Sequence, residues 1–385
     1  MHVPKRAFVT AVTRDYLHQA RVLARSLRRV HPTIDFWVCL VDRPLAPLSD
    51  APELSRCFLA SELGIPRWRR FTFQYTPFEL SCSLKPHALA HLFTLGYDEV
   101  VYLDSDIEVF APLDGVFTRL RDANLVLTPH FVAASAPDAE RERRVLRAGV
   151  HNAGFIALRR GEVAAAFLSW WSARCASSCV VDLAGGFFTD QRWLDLAPGI
   201  FPGVAIERHA GMNVGHWRLP GARLRRGDDG QLRVDGEPLV FFHFSGFSPT
   251  NPLQVSRHDP GLSFDELPVL RELSVEWSNA LSACGASVYA RWGCEYAALS
   301  DGTPIHARWR EAVRLGVPSL AGIEDPFDTA RTRGLEEKLE RAASRLPAER
   351  ADWVLAGGGP KRGPLRKLGR RAAKAWRRFS GRQNA

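Results

Sequence analysis

Two aspartates, Asp104 and Asp106, follow an apolar run and have the spacing of a metal site. Residues 99–109 are rich in β-branched and aromatic side chains and contain neither glycine nor proline, which predicts a strand. Because side chains alternate faces along a strand, we expect Asp104 and Asp106 to project together and Ser105 to point away. Neighbouring carboxylates repel each other unless a cation neutralises them. The pair therefore predicts a site for a hard divalent metal ion, with a solvated turn as the alternative.

The segments around this pair predict an α/β fold. Residues 6–12 have the pattern of a strand, residues 16–30 that of a helix with one apolar face, and residues 34–42 that of a second strand. This βαβ order is typical of a mostly parallel, twisted sheet flanked by helices. Ligands of such sheets lie beyond the carboxyl ends of the strands, so we expect Thr10 near the same edge as Asp104.

Other polar residues stand at predicted element ends. Lys85 opens a predicted helix over 83–95, and a helix N-terminus favours anions; a solvated lysine is the alternative. His243 lies within an aromatic run, where a buried core histidine is the alternative to a ligand. Thr189 is predicted to cap a helix, with Asp190 and Gln191 in its exposed first turn. These residues extend the candidate site beyond the aspartate pair.

Composition limits the classes of protein that the chain can belong to. It has 385 residues, of which 46% are hydrophobic and 24% charged, enough for one large or two medium globular domains. No stretch approaches the roughly 20 apolar residues of a membrane span, and no secretory signal is recognised at the start. Seven scattered cysteines are typical of buried thiols in a reducing compartment. We therefore expect a cytoplasmic protein.

The C-terminal tail differs from the rest of the chain. Between residues 361 and 382 every charged side chain is basic, and apolar residues recur at helical spacing. This pattern predicts a helix that lies on an anionic membrane surface, which would make the protein peripheral to the inner face of the plasma membrane. A disordered tail and a nucleic-acid contact are the alternatives. Nucleic acid is disfavoured as the main partner, since no basic patch interleaved with aromatic residues occurs elsewhere.

In their order along the chain, these motifs resemble those of the GT-A-fold nucleotide-sugar glycosyltransferases. The resemblance is to glycosyltransferase family 8, which includes glycogenin and bacterial lipopolysaccharide glycosyltransferases, and it spans roughly residues 6–249. The motifs that carry it are residues 7–11, 83–86, 104–106, 151–154, 189–191 and 243–246. The resemblance implies a GT-A domain over 1–250, followed by a helical C-terminal extension over 251–356 and a linker and basic tail over 357–385.

The resemblance also implies roles for particular residues. Metal ligands would be Asp104, Asp106 and His243, and catalytic residues Asp190 and Gln191. Donor contacts would be Thr10, Ala11, Tyr16, Lys85, Asp104, Ser105, Asn152, Gly154 and Gly246. Two carboxylates, one imidazole and diphosphate oxygens would suit Mn²⁺, or else Mg²⁺. The family motif continues from its glycine into Lys-Pro-Trp, whereas residues 247–249 here are Phe-Ser-Pro, so the lysine that would bind the diphosphate is missing from its expected place.

The implied activity is that of a metal-dependent hexosyltransferase. It would move a hexose from a nucleotide-sugar, with UDP as the expected nucleotide, to a glycan or lipid-linked acceptor in bacterial surface polysaccharide or lipopolysaccharide assembly. Retention of configuration is implied, either by a front-face substitution that Gln191 or Asp190 stabilises or by a double displacement with Asp190 as nucleophile. The alternative function is a catalytically weakened GT-A domain that serves as a nucleotide-sugar-binding or scaffold module. A nucleotidyltransferase is disfavoured because residues 10–15 form no glycine-rich loop.

Overall fold

The computed structural model describes residues 3–43, 51–134, 138–219, 221–248, 254–259 and 261–346. The strands in these ranges are β1 (Arg6–Val12), β2 (Asp35–Leu40), β3 (Cys57–Leu59), β4 (Glu99–Leu103), β5 (Ile107–Val109), β6 (Leu125–Pro129), β7 (His151–Arg159), β8 (Val181–Asp182), β9 (Phe187–Phe188), β10 (Val204–Ile206), β11 (Leu224–Arg226), β12 (Leu232–Val234), β13 (Glu237–Pro238) and β14 (Phe241–His243). The α-helices are α1 (Leu17–Val30), α2 (Trp68–Phe73), α3 (Pro77–Ser83), α4 (Lys85–Thr94), α5 (Asp114–Arg119), α6 (Ala139–Ala148), α7 (Glu162–Cys175), α8 (Ala197–Ile200), α9 (Pro268–Ala283), α10 (Ala286–Tyr289), α11 (Ala307–Arg314) and α12 (Leu335–Ala343).

A seven-stranded sheet with the order β10-β6-β7-β4-β1-β2-β3 forms the centre of the fold. All its neighbouring strands are parallel except β7, which is antiparallel to both β4 and β6. The predicted α/β class with a mostly parallel sheet is confirmed. Because β7 runs against β4, its first residues lie beside the end of β4, where the Asp104 backbone N–H donates to the Gly154 carbonyl over 2.9 Å.

The expected single strand over residues 99–109 is wrong, because the structure divides it. β4 ends at Leu103, residues 104–106 form a turn, and β5 pairs with β14 in a separate two-stranded sheet. The two aspartates therefore do not owe their proximity to strand periodicity. The antiparallel register pairs His243 with Ile107, and the Phe244 N–H donates to the Asp106 carbonyl over 2.8 Å. A residue distant in sequence is thus fixed next to the turn.

Helices cover both faces of the sheet. On one face α4 and α7 bury Leu89 and Trp171 against the strands, and on the other α1 and α5 bury Leu23 and Phe117. These four side chains are at most 2% exposed. The continuous apolar runs of β1 and β4 follow from this arrangement, because a strand covered on both faces has no solvent side.

All the named elements in the described residues after 253 are helices, as expected for the C-terminal region. α9 places Trp277 against Phe244, with ring centroids 4.3 Å apart, and α11 and α12 add to the core beneath α4. The division at residues 250 and 356 stays a prediction, and the basic tail over 357–385 lies outside the described residues. No helix in the described part of the chain is long and apolar enough to cross a membrane.

Candidate active site

A cavity of about 910 Å³ opens at the sheet edge where β1 and β4 end. Most of the side chains that the sequence singled out line it: Ala11, Tyr16, Lys85, Asp104, Ser105, Asp106, Asn152, Asp190, Gln191, His243 and Gly246. Thr10 and Gly154 do not line it. Thr10 is completely buried within β1, and Gly154 lies against the imidazole ring of His243. The structure therefore gathers residues from six separate stretches of the chain around one space.

Asp104, Asp106 and His243 form a cluster in this cavity that could hold a metal ion. One ligand atom from each residue lies within 4.8 Å of the others. His243 Nε2 is 2.9 Å from Asp106 Oδ1 and 3.9 Å from Asp104 Oδ2. Burial acts to raise the pKa of Asp106, but the neighbouring His243 lowers it overall, which keeps the carboxylate ionised. This set of donors suits a divalent ion such as Mn²⁺ or Mg²⁺.

The orientation of His243 is set by Asn213. The side-chain nitrogen of Asn213 donates to Thr128 Oγ1 over 2.7 Å and to Asn152 Oδ1 over 3.0 Å, which leaves its oxygen facing His243. His243 Nδ1 lies 3.3 Å from this oxygen and donates to it. The other ring nitrogen, Nε2, is thereby presented to the aspartates. Such a partner behind a metal-binding histidine fixes both its tautomer and its ring position.

Gly154 allows the close approach of the His243 ring. A Cβ atom at this position would lie 2.4 Å from His243 Cε1 and 2.8 Å from Asn152 Oδ1. Any larger residue would displace the imidazole from the cluster. The predicted role of Gly154 as a donor contact stays a prediction, but its contact with His243 is a structural reason for glycine here.

Lys85 lies in the first turn of α4, as predicted, although the helix begins at Lys85 and not at residue 83. It is not the solvated lysine of the alternative interpretation. Its side chain is 4% exposed, and its Nζ lies 3.0 Å from Asp104 Oδ1 and 3.4 Å from Asp190 Oδ2. It also donates to the Ala153 carbonyl over 3.1 Å. Burial alone would lower the pKa of Lys85, but the two carboxylates raise it well above its usual value. A permanent positive charge therefore connects the cluster to Asp190.

The expected exposure of Asp190 and Gln191 is wrong, because both are buried, at 1% and 7% exposure. The helix after Thr189 is a 3-10 helix over Gln191–Leu196, and Thr189 itself has a left-handed φ of 49° and makes no cap. Gln191 Oε1 accepts from the Ala153 N–H, and its Nε2 donates to the Ala148 carbonyl, each over 3.0 Å. The turn is thus held inward against β7 and α6.

Burial raises the pKa of Asp190, with Lys85 acting in the opposite direction. The ionised form of the Asp190 carboxylate therefore depends on the positive charge of Lys85, which offsets the cost of burial. Asp190 and Lys85 form a buried pair whose two members depend on each other for their charge.

The cavity lining also includes Ala11, near the end of β1, and Tyr16, in the turn that follows β1. Tyr16 is 47% exposed, so part of its side chain is accessible from solvent. The turn is held by Arg14, which donates to the carbonyls of Trp292 and Gly293 over 2.7 and 2.8 Å. The C-terminal helical region therefore supports this part of the cavity lining, a contact that the sequence did not indicate.

Sequence reasoning missed several residues of the site. The sequence indicated no role for Asn213, Arg257 or His258, although Arg257 and His258 line the cavity. The sequence contained one indirect indication that a further cation belongs to the site, which is the absence of a lysine after Gly246. A polar asparagine before an apolar stretch is too common to indicate a histidine partner.

No family model matches this chain. Two proteins of Bacillus subtilis (strain 168) are similar to it, the uncharacterized proteins YfnF and YfnD. YfnF is 25% identical over 276 residues, which cover 70% of this chain and 90% of YfnF. The uncharacterized protein YfnD is 26% identical over 252 residues, which cover 63% of this chain and 78% of YfnD.

Several solved glycosyltransferases are also similar to this chain. One is a glycosyltransferase involved in glycosylation of the major capsid of PBCV-1, with 11% identity, a TM-score of 0.39 and coverage of 73% of this chain and 100% of that one. The galactosyltransferase LgtC has 17% identity, a TM-score of 0.39 and coverage of 72% and 96%. GlyE of Streptococcus pneumoniae TIGR4 has 15% identity, a TM-score of 0.40 and coverage of 74% and 64%.

Proposed function

We propose that this chain is a metal-dependent glycosyltransferase of the GT-A class, similar to family 8, that transfers a hexose from a nucleotide-sugar. The observation that carries this proposal is the cluster of Asp104, Asp106 and His243 in one large cavity, with the Lys85 and Asp190 pair beside it. Such a site suits a reaction in which a diphosphate leaves, because a divalent ion held there can neutralise the negative charge of the leaving group. UDP is the nucleotide that we propose.

Asp104, Asp106 and His243 would hold the metal ion, with Mn²⁺ proposed first and Mg²⁺ second. When bound, such an ion neutralises the charge that develops on a leaving diphosphate. The protein groups contribute by being fixed before the reaction starts, since Asn213 holds His243 and Lys85 holds Asp104. Donors and charges that need no rearrangement are the most effective at stabilising a transition state.

For the sugar itself we propose retention of configuration by front-face substitution. The amide of Gln191 is already engaged with two backbone groups, whereas the buried Asp190 carboxylate lines the cavity and is paired only with Lys85. Asp190 is therefore the better candidate to stabilise positive charge at the anomeric carbon. The ion pair with Lys85, at 3.4 Å, lowers the nucleophilicity of Asp190 and so disfavours a covalent intermediate.

The proposed acceptor is a glycan or lipid-linked sugar of bacterial surface polysaccharide or lipopolysaccharide assembly. The basic tail over 357–385 is proposed to attach the protein to an anionic membrane surface. Truncation after Gly359 should leave nucleotide binding intact and reduce binding to vesicles that contain anionic lipid. Equal vesicle binding by the truncated and full-length proteins would contradict the anchor.

The primary test is calorimetric titration of the full chain with UDP, GDP, ADP, CDP and dTDP, each with and without Mn²⁺. We expect micromolar, metal-dependent binding of one of these, UDP first, and its loss in Asp106→Ala. Asp265→Ala, an exposed carboxylate outside the cavity, is the matched control and should bind normally. Absence of metal-dependent binding for all five would contradict the proposal.

Turnover separates the enzyme from a weakened binding module. The enzyme should hydrolyse or transfer the matching nucleotide-sugar, and NMR of the released or transferred sugar should report the retained anomer. Binding without any turnover would favour the module, for which the missing lysine after Gly246 is the specific argument.

A further inference from the structure

In the proposed donor site, positive and negative charges must balance when the metal ion and the nucleotide-sugar are bound. The inference drawn from this balance rests on the proposed function. The two aspartates offset the charge of a divalent ion bound between them. Lys85 is paired with both Asp104 and Asp190, so its single positive charge is already offset by carboxylates of the site. A sugar-linked diphosphate brings two more negative charges, and a leaving nucleoside diphosphate about three. The charge of the diphosphate would therefore be offset by another cation beside the metal ion. None of the residues named above supplies one.

Arg257 occupies a place on the cavity lining where it can do so. Its backbone N–H donates to the Gly246 carbonyl over 3.0 Å, and Ser256 Oγ donates to the Ser245 carbonyl over 2.8 Å. The His258 N–H in turn donates to Ser256 Oγ over 3.1 Å. These bonds attach the segment to the turn that directly follows His243, so Arg257 begins close to the metal cluster.

Gly246 makes this attachment possible. Its φ of 75° is in the left-handed region, and a Cβ atom there would lie 2.5 Å from both Ser256 Oγ and His258 Cδ2. Ser256 is completely buried beneath it. The contact is therefore a packed, specific junction and fixes the backbone from which the Arg257 side chain projects.

Arg257 is an exposed residue and, within the described residues, no carboxylate forms an ion pair with it. Two other arginines of the lining are engaged: Arg144 pairs with Asp259 at 3.0 Å, and Arg141 donates to the Trp217 carbonyl. Arg147 also lines the cavity, but it belongs to α6 and not to the segment that is bonded to the turn after His243. Arg257 is also close enough to Tyr16, another residue of the lining, to act on it electrostatically. Burial raises the pKa of Tyr16, and the charge of Arg257 acts to lower it. Burial lowers the pKa of His258, and the charge of Arg257 lowers it further.

We propose that Arg257 binds the diphosphate of the nucleotide donor and of the leaving nucleoside diphosphate, and so replaces the lysine that is missing after Gly246. A guanidinium presents parallel N–H donors that match two phosphate oxygens, which an ammonium group cannot do. The positive charge that binds the diphosphate thus comes from a later segment of the chain. Ser256 and Gly246 hold this segment against the turn that contains the histidine and glycine motif.

The test compares UDP with uridine as probes for the full chain in the presence of Mn²⁺. Arg257→Ala should weaken UDP binding about tenfold or more, the loss expected for a charge-assisted hydrogen bond. Arg257→Lys should recover part of this loss. Uridine binding should not change, because it has no phosphate. Arg271→Ala removes one exposed positive charge outside the cavity and is the control, expected to equal the wild type.

Each outcome supports one conclusion. If Arg257→Ala binds UDP as the wild type does while Asp106→Ala does not, Arg257 has no phosphate role and the transferase proposal stands. If Arg257→Ala weakens UDP and uridine equally, or lowers the midpoint of thermal unfolding, its role is structural and the inference is overturned. If wild type binds no nucleoside diphosphate with Mn²⁺, the proposed function itself fails. If another nucleotide binds best, that nucleotide and its nucleoside replace the two probes.

Discussion

Two parts of the cavity differ in construction. We call the group formed by Lys85, Asp104, Asp106, Asp190 and His243 the cavity floor, and the exposed helix α6 the α6 wall. The charged groups of the floor contact one another, and Lys85, Asp190 and His243 are at most 4% exposed. No residue of α6 is buried, and Arg141, Arg144 and Arg147 of this helix line the cavity.

The difference indicates what each part can do. Charges fixed in a buried site keep their strength and need no rearrangement during a reaction, so the floor suits the chemical step. Arg144 and Arg147 of α6 are exposed, so their charges are screened by water and their side chains can adjust to different ligands. We therefore expect the α6 wall to suit recognition of the proposed acceptor. Substitutions should therefore have large effects in the floor and small ones in the wall.

The largest effect is expected for Asp106→Asn, which keeps the shape of the side chain and removes its charge. Transfer should fall by about a hundredfold to a thousandfold or more, because the ion loses a ligand and the leaving diphosphate loses its neutralising charge. Initial rates at saturating nucleotide-sugar and Mn²⁺ measure this loss. A rate within threefold of the wild type would show that the floor does not hold the metal used in the reaction.

Lys85→Met should destabilise the protein by about 3–5 kcal/mol, since it leaves Asp190 buried without its partner. Denaturant unfolding measures the free energy, with Lys338→Met, an exposed lysine of α12, as the control. In the double variant Lys85→Met/Asp190→Asn much of the loss should be recovered, because the unpaired charge is gone. If the two single effects simply add, Lys85 and Asp190 are not coupled and the floor is not one unit.

Gly154→Ala tests whether the position of His243 matters at the scale of one methyl group. The new Cβ would push the imidazole away, so the affinity for Mn²⁺ should fall about tenfold to a hundredfold. Titration with Mn²⁺ is the measurement. Gly115→Ala in α5 is the matched control, because nothing lies within 4 Å of its new Cβ. Equal Mn²⁺ affinity in the two variants would refute the proposed support of His243.

The smallest effect is expected for Arg147→Ala in the α6 wall. The free energy of unfolding should change by at most about 0.5 kcal/mol, because the side chain is exposed. Mn²⁺ affinity should be unaffected, and transfer to a glycan acceptor should fall only a few fold. Denaturant unfolding and acceptor titrations give the two values. A loss of stability as large as that of Lys85→Met would remove the distinction between wall and floor.

Much of the fold could be predicted from the sequence, because local patterns determine it. Strand β1 begins and ends where expected, and α1 ends at the predicted residue, since each carries a continuous or periodic apolar pattern over several residues. The mostly parallel sheet follows from the alternation of such strands and helices. The spacing of Asp104 and Asp106 also predicted a metal site, whereas His243 was named as its third ligand only through the resemblance of motifs.

Other features depended on contacts between distant parts of the chain. The break between β4 and β5 arises because β5 pairs with β14, more than 130 residues later, and the burial of Asp190 arises because Lys85 and Gln191 hold its turn inward. The partner of His243 and the place of Arg257 were likewise invisible, since neither has a local pattern. Periodicity along the sequence reports which side of an element is apolar. Only the packed structure decides which polar groups meet, because their energies depend on distance, burial and orientation across the fold.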